Sequence, residues 1–216
     1  MIQTASARDL FRAAYENRYT WDEKFPGYSA DLCLKQGNEI YTGKIQINQD
    51  FSTEITGIEN PEVEKSIANQ LRDVITHRKR ATFEQSHGKN TFNIGNKDEN
   101  DAIEILVTGD AMGSNYKIRG KEICQVSRVI GQMAFVIDTH ESLNTEEGYL
   151  SKRYDAIFHN SESGEIIKTL KFEDTYTKIG KYYVMSKQVI WGEDQGQPII
   201  TEFNFSNIEM LDRVVE

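Results

Sequence analysis

The chain has 216 residues and only three prolines, a length one domain can fill with no Pro-rich linker, so a single domain over 1–216 is expected. Lys and Arg number 25 against 34 Asp and Glu, a net charge of −9, which repels polyanions and leaves nucleic acid disfavoured as a partner. No stretch approaches the roughly 18 apolar residues of a membrane span, so no integral membrane segment is expected; MIQTASARDLF lacks a signal-peptide pattern and Cys33 and Cys124 lie far apart, which together predict a cytoplasmic protein in a reducing compartment.

From Ala5 to Thr20, residues Leu10, Phe11, Ala14 and Tyr15 recur at spacings of three and four, and Ser6 with Asp9 forms a weak capping box, so a helix is expected over 5–20. Pro26-Gly27 then turns the chain. Ala30, Leu32 and Leu34 alternate with polar residues, Gly37-Asn38 supplies a hairpin turn, and Tyr41, Gly43, Ile45 and Ile47 continue on a second strand. Phe51, Thr53 and Ile55 begin a third. Asn60-Pro61-Glu62 reads as an N-cap followed by proline at the first helical position. Val63, Ile67, Leu71, Val74 and Ile75 then carry an inserted helix over 61–80, closed by His77-Arg78-Lys79-Arg80. Everything after it reads as strand, beginning with Thr82–Gln85 and ending in four long strands from Gly148 to Ile208. The expected fold class is mainly β (α+β): a large curved antiparallel sheet, a half-barrel, wrapped around one or two helices.

Motifs of catalysis are absent from this pattern. His77, His87, His140 and His159 show no metal-ligand spacing, so no metal is expected. The segment Asp98-Glu99-Asn100-Asp101 has Ile103 where a calcium loop needs glycine. There is no GxSxG and no phosphate-cradling glycine loop, so no cofactor is expected and the reading leans away from an enzyme. Cys124 sits among Ile123, Val126 and Val129 as a small hydrophobe. The tract Arg78-Lys79-Arg80 suits the negative end of its helix, with lipid headgroups or a partner's carboxylates as the alternative.

Two arginines, Arg128 and Arg153, lie mid-strand, where an arginine either points to solvent or enters a cavity needing an anion. Arg153 shares a face with Tyr149, Ser151 and Asp155, and an Arg153–Asp155 pair is one outcome. Tyr183, Met185, Val189 and Trp191 share a strand face and are candidates to line an apolar cavity. Ten Phe, ten Tyr and two Trp serve equally well as ordinary core.

Ser127-Arg128 with Gly131, Glu147-Gly148-Tyr149-Leu150 and Tyr182-Tyr183-Val184-Met185-Ser186-Lys187 resemble an uncharacterised domain family of cyanobacteria and plastids. The closing strands Tyr183–Val189 and Thr201–Ile208, with Phe205-Ser206-Asn207-Ile208, resemble the last hairpin of bacterial lipoprotein-carrier (LolA-like) domains. Those are half-barrels wrapped round helices, with a cavity for acyl chains. The resemblance implies a photosynthetic cell, a location peripheral to the thylakoid, and lipid binding. The lack of an export signal departs from those carriers and counts against lipoprotein traffic. The expected function is a non-enzymatic carrier for an apolar or amphipathic small molecule such as a lipid, pigment or isoprenoid, with Arg128 and Arg153 at a headgroup. The alternatives are an assembly factor with a filled core that binds a protein partner, and an enzyme with a pocket in the curved sheet.

Overall fold

A computed structural model describes residues 5–109, 114–194 and 196–212. The elements are α1 (Ala7–Glu16), β1 (Gly27–Gln36), β2 (Glu39–Asn48), β3 (Thr53–Thr56), α2 (Pro61–Arg78), α3 (Phe83–His87), β4 (Thr91–Lys97), β5 (Ile103–Thr108) and β6 (Ser114–Arg119). They continue as β7 (Glu122–Ile130), β8 (Met133–Thr145), β9 (Gly148–Asn160), β10 (Ile166–Ile179), β11 (Tyr182–Asp194) and β12 (Gln197–Met210). The twelve strands form one open antiparallel sheet in the order β3-β2-β1-β12-β11-β10-β9-β8-β7-β6-β5-β4, with few helices, as the sequence predicts. The chain divides into two compact units, one made of residues 1–19 and 81–171, the other of 20–80 and 172–216.

In the first unit, the Ser6 hydroxyl accepts from the Asp9 N–H while the Asp9 carboxylate takes the Ser6 N–H, which satisfies donors at the start of α1. The helix is shorter than the expected 5–20 because Asn17 caps it. Ala7, Phe11, Ala14 and Tyr15 are its buried face, packed on β4, β6 and β7. Phe11 is fully buried and lies 4.5 Å from the Tyr116 ring and 5.1 Å from Phe92; Ile105, Val107 and Ile118 complete the core. Residues 82–85, expected as strand, instead start α3. Thr82 and Gln85 form a reciprocal capping box, and Phe83 and His87, four residues apart, both bury one side of a single turn. Gly148, at φ 137°, lets the exit of α1 touch β9: the Tyr149 N–H donates to Asn17 O (3.0 Å) and the Tyr19 N–H to Tyr149 O (2.9 Å).

In the second unit, Asn60 Oδ1 accepts from the N–H of Glu62 (3.0 Å), Pro61 opens α2, and the helix buries Val63, Ile67, Leu71, Val74 and Ile75. It stops at Arg78 because Lys79 turns to extended backbone. Strand β1 lies between β2 and β12. Tyr28 faces Ile47, Ala30 faces Ile45, Leu32 faces Phe205 and Leu34 faces Phe203, so these pairs share the core side. Trp21 stacks on Phe25 with centroids 4.1 Å apart, and its Nε1–H donates to Tyr183 O at 3.0 Å. No helix among the described residues is long and apolar enough to cross a membrane.

Candidate functional site

The first unit carries an arginine among apolar side chains. The two-residue turn Gly131-Gln132 fixes the β7–β8 register, so Ile130 opposes Met133 and Arg128 opposes Phe135. Phe135 in turn opposes Phe158 on β9, and the two rings are 5.9 Å apart. One step along, Val126, Ile137 and Ala156 form the next row of the same face. Val126 packs against the Phe11 core, so this is the face on which α1 lies. Past the helix that face stays partly open: Phe135, Ile137 and Phe158 are half-buried, Met133 is 41% and Ile130 57% exposed.

Arg128 stands within this row. Its Nε–H donates to the Ser114 hydroxyl at 3.1 Å, and among the described residues no carboxylate lies within ion-pair distance of it. Its charge reaches inward as well. Burial, joined by the guanidinium charges of Arg18 and Arg128, lowers the His87 pKa to about 4. His87 is neutral at pH 7; Asn90 Nδ2 is 3.3 Å from its Nδ1, and its ring stands edge-on to Phe11 and Tyr15. A cation with no carboxylate partner among the described residues, set beside half-covered aromatics, is an arrangement that suits an anionic group with an apolar body.

Arg153 is placed differently. It projects into solvent, 3.8 Å from Glu141, while Asp155 pairs with His140 at 3.1 Å, so the Arg153–Asp155 pair gives way to two other pairs. Both contacts are exposed and worth little in stability.

In the second unit, Trp191 opposes Ile200 and Val189 opposes Glu202 across β11–β12, while the neighbouring Phe203 and Gln188 are buried. Val189 and Trp191 therefore stand on the sheet face opposite the core. There they line a groove of about 460 Å³ with Glu173, Thr175, Lys187, Ile200 and Glu202. Met185 is buried within the unit, and Tyr183 is half-buried with the Lys178 ammonium 5.5 Å from its ring. On the core side runs a polar chain that sequence reading missed. Arg78 Nη2 donates to the Tyr176 hydroxyl (3.0 Å), Tyr176 to Asp174 (3.1 Å), and Gln188 Nε2 to Asp174 (2.8 Å). Arg78 thus anchors the end of α2 to β10, and Lys79 lies 5.5 Å from the Phe51 ring. Burial pushes the Tyr176 phenol up, so it stays protonated and donating.

Among the described residues, no three His, Cys, Asp or Glu side chains gather as a metal would need. Cys124 donates to Lys117 O at 3.4 Å and burial raises its pKa, which makes it an unreactive thiol. Phe135, Phe158, Ile130 and Met133 also escaped sequence reading. The hairpin arithmetic about Gly131-Gln132 contains the Arg128–Phe135 pair, since a two-residue turn leaves one register.

The family described as a protein of unknown function, DUF3386, matches the chain over residues 2–211. No curated protein matches it. Solved structures similar to it include a LolA superfamily protein from Nitrosomonas europaea, at 11% identity and TM-score 0.36 over 97% of this chain and 95% of that one. A domain described as an outer membrane lipoprotein-sorting protein from Vibrio parahaemolyticus is 12% identical at TM-score 0.40, over 97% and 94% of the two chains. A DUF1329 family protein from Desulfovibrio piger is 10% identical at TM-score 0.36, over 99% and 96%.

Proposed function

The chain belongs to the DUF3386 family, and on that premise we propose that it is a non-enzymatic binding protein for an amphipathic molecule with an anionic head and an apolar body. The observation that carries this is Arg128, held by Ser114 and set between the half-exposed Phe135–Phe158 pair and the exposed Ile130 and Met133. The guanidinium takes the head, and the apolar row beyond α1 takes the body. Covering such side chains is worth about 25 cal/mol per Å² of apolar surface removed from water. A charge-assisted hydrogen bond adds on the order of 1.5–3 kcal/mol.

Laurate and its uncharged methyl ester test the reading by calorimetry. Laurate is expected to bind saturably and more tightly than the ester. Arg128→Gln is expected to cost laurate about ten-fold in affinity, the low end of a charge-assisted bond, and to leave the ester unchanged. Equal binding of laurate by Arg128→Gln and by the unaltered protein would overturn the proposal.

The protein-partner reading is favoured by a different observation. Val129, Ile130, Met133, Ile166 and Ile167 are between 41% and 65% exposed around two neighbouring turns of the first unit. Ser161 ties these turns together, its N–H donating to Gln132 O and its hydroxyl to Gly131 O. A rigid apolar rim of this kind fits a polypeptide surface.

A further inference from the structure

The groove on the outer face of the second unit has a chemistry distinct from that around Arg128. Its apolar walls are Val189, Ile200 and the indole of Trp191, which is 36% exposed. Its polar wall holds two carboxylates and one ammonium. Lys187 is engaged by Glu202 at 3.0 Å, and Glu202 also accepts from Asn204 Nδ2 at 2.7 Å and lies 3.7 Å from Lys35. Glu202 is therefore compensated. Glu173, also in the lining, has no ion pair or hydrogen bond to another described residue. Within the lining itself, Glu173 and Glu202 against Lys187 leave one negative charge, Lys35 reaching Glu202 from outside it at 3.7 Å, and the net charge of −9 draws cations towards the protein.

An occupant of this groove needs an apolar body to cover Val189 and Ile200, and a positive charge to meet both the carboxylate of Glu173 and the electron-rich face of Trp191. Anions are repelled by Glu173, and a neutral apolar molecule leaves that carboxylate in a narrowed, less hydrated space with no counter-charge. An ammonium on a compact apolar body satisfies all three walls, because the indole attracts cations that are weakly hydrated. We infer that the groove lined by Glu173, Val189, Trp191 and Ile200 binds a small organic ammonium compound. This site is independent of the reading at Arg128, which concerns an anionic amphiphile and other residues, so either can fail alone.

Choline and 3,3-dimethyl-1-butanol, which replaces its nitrogen by carbon, make the probe pair. The chain has two tryptophans, so its ¹H–¹⁵N spectrum shows two indole signals. Trp21, whose Nε1–H donates to Tyr183 O inside the unit, is the internal reference, and Trp191→Phe assigns the other. Choline is expected to move the Trp191 signal to saturation in the millimolar range and to leave Trp21 in place. The butanol is expected to bind at least about three-fold more weakly, the size of an exposed cation–π contact. Glu173→Gln is expected to weaken choline about three-fold without changing the butanol, as for an exposed ion pair. Both substitutions are at the surface and leave the core intact. Equal affinity for the two probes, an unmoved Trp191 signal, or undiminished choline binding by Glu173→Gln would each overturn the inference.

Discussion

His87 shows how a single side chain sets a pH window. Its pKa is about 4 in the folded chain against 6.5 ordinarily, so the unfolded chain takes up the proton first as pH falls. The stability this neutral ring contributes is complete above pH 6.5 and is lost progressively down to pH 4, up to about 3 kcal/mol. Denaturant titrations at stepped pH are expected to show that slope, and His87→Leu to flatten it in that window. Gly148 sets a different constraint. At φ 137°, an added Cβ would stand 2.8 Å from Tyr19 N, where the exit of α1 bridges to β9. Gly148→Ala is expected to cost about 2 kcal/mol or more, read from the unfolding midpoint, with the loss appearing as faster hydrogen exchange at the Tyr19 amide.

Elements differ in how much of their stability is local. Removing the Thr82 hydroxyl with Thr82→Ala is expected to cost about 1 kcal/mol, because α3 is a single turn held by its cap and by Phe83. Phe11→Ala, which empties the ring contacts of α1 against β4 and β6, is expected to cost about 3–5 kcal/mol. The Ile166→Ser/Ile167→Ser pair changes side chains 65% and 62% exposed, so its unfolding midpoint is expected to stay close to the unaltered protein's while self-association at high concentration falls. Local signals are what made α1 and α2 legible. Ser6 with Asp9, and Asn60 with Pro61, cap within one turn of themselves and need nothing distant. The Thr82–Gln85 box was equally local, but a helix of five residues is too short to show a helical period, and its sequence reads as readily as strand. Strand faces lie outside that local range. Alternation shows that Val189 and Trp191 share a side, yet which side is core depends on Phe203 and Gln188 being buried, a fact of packing. Arg128 could be singled out as a mid-strand charge, whereas its row of Phe135 and Phe158 required three strands in register.

At the scale of the whole molecule, the path of the chain matters more than any one contact. Residues 1–19 and 81–171 make one unit and 20–80 and 172–216 the other, so the backbone passes between them three times. A cut between Arg80 and Ala81 leaves neither fragment holding a complete unit. Each piece alone is expected to lack a cooperative thermal transition by circular dichroism, and mixing the two is expected to restore one. The pairing of β1 with β12, Leu34 against Phe203, has a kinetic counterpart in the cell. At elongation rates of about 5–20 residues per second, the partner of Leu34 is made on the order of ten seconds or more after it. Through that delay one side of β1, with its apolar Ala30, Leu32 and Leu34, leaves the ribosome without its final neighbour. The strand order thus leaves that edge open to pairing with other chains for as long as synthesis lasts, however stable the finished protein becomes.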